Sequence, residues 1–336
     1  MKKPIVVVGS YNAGLFIKGE RLPAKGETVV GEQFYEGHGG KGSNQAIAAA
    51  KLGGDVRFIA CLGDDRYGDN ARRQYLECGM DQRFVFTAKG VHSGIGFVLI
   101  DRQGDNAISV ALGANLCLRP EHIDLARDVI GSASVLACQL EGPLDTFAYA
   151  LRTARELGVT TMLDPAPAVP LPDEVYQNTD IITPNETEVE ILTGICPETI
   201  RSAAKAGRML LSRGVRTVIV KLGNRGCLCV TAEGERYIPA VRVETLDVTG
   251  AGDAFAGGLT TALAEGKSLI AAIEFATCVA ALSVTKVGVV NALPTRDDAD
   301  SLLAKACPEP ELVACNTCQI RCTESNCPHY DNRASA

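Results

Sequence analysis

Short apolar runs alternate with longer amphipathic stretches through most of the chain. Ile5–Val8, Val56–Cys61, Ser134–Gln139, Thr160–Leu163, Ile181–Thr183 and Thr217–Lys221 are brief and rich in β-branched residues. Runs of this kind suit strands buried on both faces of a parallel sheet, where no polar alternation is needed. Between them, Ser43–Leu52, Asp145–Leu157, Glu186–Leu192 and Ala203–Arg213 read as helices, and each closes near a glycine: Gly53, Gly158, Gly194 and Gly214. A glycine there accepts the left-handed conformation that ends many helices. The rhythm predicts an α/β fold with a mostly parallel central sheet and helices on both faces.

Two stretches depart from it. Glu27–Tyr35 and Ser93–Val110 are strand-like with no helix between strands, and the second turns at Gln103-Gly104-Asp105-Asn106. They predict a small antiparallel sheet that covers one edge of the main domain as a lid, drawn from the stretches 12–35 and 92–112. A short helix, Asp297–Ala306, closes the regular pattern. Cys307-Pro308-Glu309-Pro310 then reads as a linker, which divides the chain into a domain over 1–306 and a Cys-rich tail over 307–336.

Composition narrows the class. A chain of 336 residues with 46% hydrophobic and 22% charged residues has the balance of a soluble globular enzyme. Its net charge of −7 argues against a nucleic-acid partner. The basic start Lys2-Lys3 leads into an apolar run that stops at Gly9, too short for a signal peptide or a membrane span, so a cytoplasmic protein with no membrane partner is expected.

The chemistry concentrates in two glycine-rich helix starts. In Asp247-Val248-Thr249-Gly250-Ala251-Gly252-Asp253-Ala254-Phe255, a small-residue turn opens an alanine-rich helix. The backbone N–H groups of Gly250, Ala251 and Gly252 can approach a bulky anion at a helix N-terminus, where the dipole favours negative charge. Asp253 stands beside that cradle, placed to take a proton from an attacking hydroxyl, which points to phosphoryl transfer. The second start is Gly37-His38-Gly39-Gly40-Lys41-Gly42-Ser43-Asn44. Gly42 stands where a Walker A motif needs Ser or Thr, so this is not a P-loop. It offers Lys41 and Asn44 as donors to sugar hydroxyls.

Gly39–Asn44 and Asp247–Phe255 together resemble the two signatures of the PfkB carbohydrate-kinase family, in its ribokinase-like branch. Gln139–Pro143, Asp164–Pro167, Thr183–Glu188 and Lys221–Gly226 follow in the order and spacing of that branch, as far as about residue 305. The resemblance implies a ribokinase-like three-layer sandwich with a β-sheet lid. It implies ATP-dependent phosphorylation of a primary hydroxyl of a small sugar, with ribose or a related pentose first among them. Asp253 would be the catalytic base and Gly250, Ala251 and Gly252 the anion hole. Asn12, Gly14, Gly40, Lys41, Asn44 and Glu141 would face the sugar. Asn185, Lys221, Gly223, Gly226, Gly252 and Thr277 would line the nucleotide site, and Glu188 would reach Mg2+ through water. K+ would sit beside the anion hole at Asp247, Thr249, Ser283, Lys286 and Gly288, held mostly by backbone carbonyls, with Ala292 in place of a serine. A homodimer packed through the lids is implied as well.

One position departs from the pattern. After the first strand the family has Asn-x-Asp, whose aspartate takes the sugar's vicinal hydroxyls, and this chain has Asn12-Ala13-Gly14. Glycine cannot accept those hydrogens, and a lost partner in a closed site costs about 1–3 kcal/mol. Another sugar, a polyol or a nucleoside stays open as substrate. So does a sugar-sensing regulatory protein without catalysis, although a non-catalytic descendant need not keep Asp253.

The cysteines are uneven: of thirteen, eight precede residue 307 and five lie in the tail from Cys307 onward. Cys315-x2-Cys318-x3-Cys322-x4-Cys327 suits tetrahedral Zn2+, with an iron–sulfur cluster and a metal-free, redox-prone appendage as alternatives.

Overall fold

The four residues of β1 (Ile5–Val8) divide the molecule into layers. The computed structural model describes residues 3–306, together with the backbone of two short strands at 313–314 and 321–322. Successive side chains of a strand point to opposite faces. Accordingly Ile5 and Val7 enter one hydrophobic cluster, and Val6 and Val8 enter another. All four are buried, which is why the run carries no polar residue.

The remaining strands of the main sheet are β4 (Val56–Gly63), β5 (Val85–Ala88), β8 (Val135–Cys138), β9 (Thr160–Leu163), β10 (Ile181–Ile182), β11 (Thr217–Lys221), β12 (Cys227–Thr231) and β13 (Gly234–Ile238). Their order is β13-β12-β11-β10-β9-β8-β1-β4-β5, and β11 through β5 run parallel. The sequence pattern anticipates this parallel body. The antiparallel β12–β13 hairpin at its edge went unpredicted. Beyond β13 the sheet is extended by the backbones of β14 (Val313–Ala314) and β15 (Arg321–Cys322). The expected zinc ligands Cys315, Cys318 and Cys327 lie outside the described residues, as does the side chain of Cys322.

On the Ile5 and Val7 face pack α1 (Lys41–Lys51), α2 (Arg66–Glu77), α9 (Ala251–Ala264), α10 (Leu269–Ser283) and α11 (Arg296–Ala306). On the other face lie α3 (Pro120–Leu125), α4 (Arg127–Ser132), α5 (Leu144–Glu156), α6 (Asp173–Gln177), α7 (Glu186–Thr193) and α8 (Ile200–Ser212). The result is helix, sheet, helix in three layers. Among the described residues no helix is long and apolar enough to cross a membrane.

A second sheet of four strands stands apart, in the order β3 (Gln33–Gly39), β2 (Asn12–Lys18), β6 (Gly94–Ile100), β7 (Asn106–Ala111). Its outer pairs are antiparallel and its central pair, β2 with β6, is parallel. The expected all-antiparallel lid is therefore a mixed sheet. Alternation along a strand carries no information about the direction of its neighbour. β2 starts at Asn12, where the expected lid stretch starts, while 27–32, read as strand-like, precede β3 as loop.

Candidate active site

The polar residues of the site stand where the parallel strands end, which is where ligands meet open α/β sheets. Ser10 follows β1, Gln139 and Glu141 follow β8, Asp164 follows β9, Thr183 follows β10, and Lys221 is the last residue of β11. The lid enters from the same end, because β3 stops at Gly39 and α1 starts at Lys41.

Gly250 is the N-cap of α9 and has φ of 80°, a left-handed conformation that suits glycine. A Cβ there would also stand 2.6 Å from Cγ1 of Val289. At this turn the Ala251 N–H makes a long bond back to the Val248 carbonyl, at 3.3 Å, and the N–H groups that follow at a helix start have no intrahelical carbonyl to reach. Asp253 lies in that first turn and is 5% exposed.

Two neighbouring side chains of α1 hold its carboxylate. Asn44 Nδ2 donates to Oδ2 at 2.8 Å and Gln45 Nε2 donates to Oδ1 at 3.2 Å. The two helices can approach this closely because Gly257, one turn beyond Asp253, has no side chain. A Cβ at that position would come within 2.4 Å of the Ala48 Cβ. Burial is the main influence on Asp253 and pushes its pKa up to about 6, with the Asp164 carboxylate adding to the rise. Lys41 and the amides of Asn44 and Gln45 oppose it. An unperturbed aspartate, with a pKa of about 3.9, is a weak base. The buried one is a stronger base, still ionised at neutral pH.

Asp164 gathers three donors: Gln45 Nε2 at 2.9 Å, Thr183 Oγ1 at 3.2 Å and Lys221 Nζ at 2.7 Å. Gln45 thus spans Asp164 and Asp253, and its own carbonyl accepts from Gln139 Nε2 at 2.6 Å. Glu141 is engaged in the same way on the lid side, accepting from Ser10 Oγ, from Asn12 Nδ2 at 3.2 Å and from the Lys41 backbone at 2.8 Å. Burial disfavours the charged Lys41 ammonium. The carboxylates of Asp253, Asp164, Glu141 and Glu188 outweigh that penalty and hold its pKa above the ordinary lysine value. Asn44 Oδ1 is buried with no hydrogen-bond partner among the described residues, an acceptor left over beside Asp253.

Next to this cluster a cavity of about 760 Å³ is lined by Asn185, Lys221, Gly223, Gly226, Gly252 and Thr277, all six of the residues expected to face a nucleotide. The cavity reaches the start of α9 at Ala251 and Gly252 and is also walled by Ala240–Val243, Phe255 and Ala281. Glu188 stands at the edge in a capping box with Asn185, accepting from its N–H at 2.8 Å and its Nδ2 at 2.9 Å. Burial raises its pKa, and Lys221 and Asp164 are the next influences on it. Among the described residues no three His, Cys, Asp or Glu side chains form a group able to hold a metal ion.

Asp247 ties two loops together. Its Oδ1 accepts from the Thr249 N–H and its Oδ2 from the Gly288 N–H, each at 2.9 Å. Ser283 is buried and donates to the Ala280 carbonyl at 2.8 Å, while Lys286 is exposed. Ala292 is buried and its N–H donates to the Val289 carbonyl at 3.0 Å.

Gly14 is buried in β2 with Gly37 and Gly96 opposite it on the two neighbouring strands. The Phe16 ring folds back over it, so that a Cβ at position 14 would stand 2.5 Å from Phe16 Cε2. Phe16 is fixed by stacking on Tyr35, with centroids 4.6 Å apart and planes at 4°.

Gln45, Gln139, Thr183 and Asp164 received no role from the sequence, although each lies inside or beside a quoted motif. Their signal was adjacency alone. The Ala240–Val243 wall had none, since it lies in a loop without periodicity.

The fold and this constellation are those of a phosphotransferase acting on small alcohols. The family model of pfkB family carbohydrate kinases matches residues 2–296, and the chain belongs to that family. It is 39% identical over 306 residues to the ribokinase of Haemophilus influenzae, an alignment that covers 91% of this chain and all of the relative. It is 35% identical over 301 residues to the deoxyribokinase of Salmonella typhimurium, covering 89% and 98%. Among solved structures, Arabidopsis thaliana ribokinase complexed with ribose and ATP superposes with a TM-score of 0.85 at 32% identity, covering 90% of this chain and 99% of that one. The protein is an ATP-dependent sugar kinase.

Proposed function

We propose that this protein transfers the γ-phosphoryl of ATP to the primary hydroxyl of D-ribose. The observation that carries the reading is Asp253, a buried carboxylate in the first turn of α9 beside the nucleotide cavity, held by Asn44 and Gln45. Asp253 takes the proton of the attacking hydroxyl. The N–H groups of Gly250, Ala251 and Gly252 bind the oxygens of the phosphoryl as charge moves onto them. Lys41 and Asn44 donate to the sugar. Asn12 and Glu141 shape its far side, with Gly40 leaving room for it. The nucleotide lies along Asn185, Gly223, Gly226 and Thr277.

Mg2+ usually keeps several waters and leans on substrate phosphates, so the absence of a dedicated carboxylate cage among the described residues fits it. Glu188 would hold such an ion through water, and the ion would neutralise phosphate charge. K+ would lie against the loops that Asp247 joins, Asp247–Thr249 and Lys286–Gly288, held by carbonyls. Replacing K+ by Na+ at constant ionic strength tests that part.

Residues 1–306 would form the kinase unit, leaving the Cys-rich segment outside it. A homodimer would pack lid to lid, because Phe34 and Ile108 expose 61% of their surface on β3 and β7. Mass measurement in solution tests the dimer.

A second reading, 2-deoxyribose, is favoured by Phe16. Its ring covers the position where an acceptor for a sugar hydroxyl would otherwise stand. ADP release measured over a panel of pentoses, polyols and nucleosides decides between the two. Release with none of them would leave a sugar-binding regulator.

A further inference from the structure

Lys221 occupies an unusual place. Its side chain is 14% exposed and that of its partner Asp164 only 2%. A pair this deep is costly to desolvate and is weak evidence for stability alone. Asp164 takes one donor of the ammonium at 2.7 Å. A lysine has three, and no other hydrogen bond from Lys221 Nζ occurs among the described residues. The same Nζ stands 3.3 Å from the position a Cβ of Gly252 would occupy, so the ammonium lies against the anion cradle. It also lines the nucleotide cavity together with Gly252.

We propose that Lys221 is a catalytic cation for the phosphoryl transfer. Held by Asp164, its ammonium donates to a non-bridging oxygen of the transferred phosphoryl. The proposal rests on the kinase reading above. In the step, a lone pair of the sugar hydroxyl oxygen forms the new bond to the γ-phosphorus, and the bond from that phosphorus to the β–γ bridging oxygen breaks. The bond's electron pair stays on ADP, and the hydroxyl proton passes to Asp253. Lys221 loses no proton; it binds the charge that spreads over the phosphoryl oxygens in the loose transition state. Asp164 and Gln45 are positioning residues. Gln45 bonds both carboxylates, so one amide fixes the base and the anchor of the cation relative to each other.

The test uses the full chain with Mg2+ and the best sugar of the panel. Lys221→Met is expected to lower kcat by about 100-fold, the scale for one lost donor to a developing oxyanion. Sugar KM and ADP affinity should change little. Wild-type protein with sugar should bind ADP plus aluminium fluoride, a mimic of the transferring phosphoryl, more tightly than ADP alone, and Lys221→Met should lose that gain. If Lys221 served only to neutralise Asp164, the double variant Lys221→Met with Asp164→Asn would regain wild-type kcat. The proposal predicts that it stays as slow as Lys221→Met. Lys221→Gln, which keeps a donor toward Asp164, repeats the measurement should the methionine variant fail to bind ADP. Unchanged kcat in Lys221→Met, or recovery in the double variant, overturns the proposal alone. A wild-type protein that phosphorylates no sugar overturns the kinase reading with it.

Discussion

Asn44 Nδ2 lies 2.8 Å from Asp253 Oδ2, although 209 positions separate the two residues along the chain. The contact joins the family's two glycine-rich signatures into one site. It exists because α1 and α9 pack side by side with Gly257 between them. The predictions below follow from that arrangement and its surroundings.

The first concerns the helix contact. Gly257→Val should force α1 away from α9, since even a single added carbon would come within 2.4 Å of Ala48 Cβ. Overpacking of this kind costs about 1–3 kcal/mol of stability. The displaced Asn44 and Gln45 should lower kcat as well. Thermal melts and steady-state kinetics check both effects.

The pH profile follows from the burial of Asp253. The ionised form is the active base and its pKa is pushed up to about 6. The turnover number should therefore fall as pH drops through 6 and level off above it. Asp164 adds to the rise and Lys41 opposes it. Asp164→Asn should move the acid limb to lower pH, and Lys41→Met should move it to higher pH. A limb that stays in place in both variants would assign it to another group.

The lid gives a prediction about specificity. Gly14→Asp alone should not improve the KM for ribose, because Phe16 occupies the space over position 14. Combining it with Phe16→Ala should. Kinetics of the single and double variants on ribose and 2-deoxyribose separate the effects.

The cavity wall gives another. Ala281 is buried in α10 and lines the cavity, so Ala281→Phe should fill it and raise the KM for ATP while that for the sugar stays near its original value. Equal effects on both substrates would mean that the substitution disturbs the fold rather than the nucleotide.

Much of this was legible before any coordinates. Apolar runs such as Ile5–Val8 announce two-sided burial, and the two glycine clusters announce backbone approach to an anion and a sugar. The structure brings Asn44 of the first cluster against Asp253 of the second. What stayed hidden is tertiary. Nothing in the sequence says that Gln45 reaches both Asp164 and Asp253, because the partners come from different strand ends. The basicity of Asp253 follows from burial, which a motif does not record. The parallel pairing of β2 with β6 leaves no mark on either strand, and the Ala240–Val243 wall is loop without a pattern.

The central claim is that Asp253 is the base of an ATP-dependent pentose kinase. The most direct measurement is sugar-dependent ADP release by wild type and by Asp253→Asn, with sugar affinity measured on both. The account predicts turnover in wild type, a fall of kcat by about 100-fold or more in the variant, as for loss of a general base, and nearly unchanged sugar binding. An Asp253→Asn protein that turns over at the wild-type rate would contradict it.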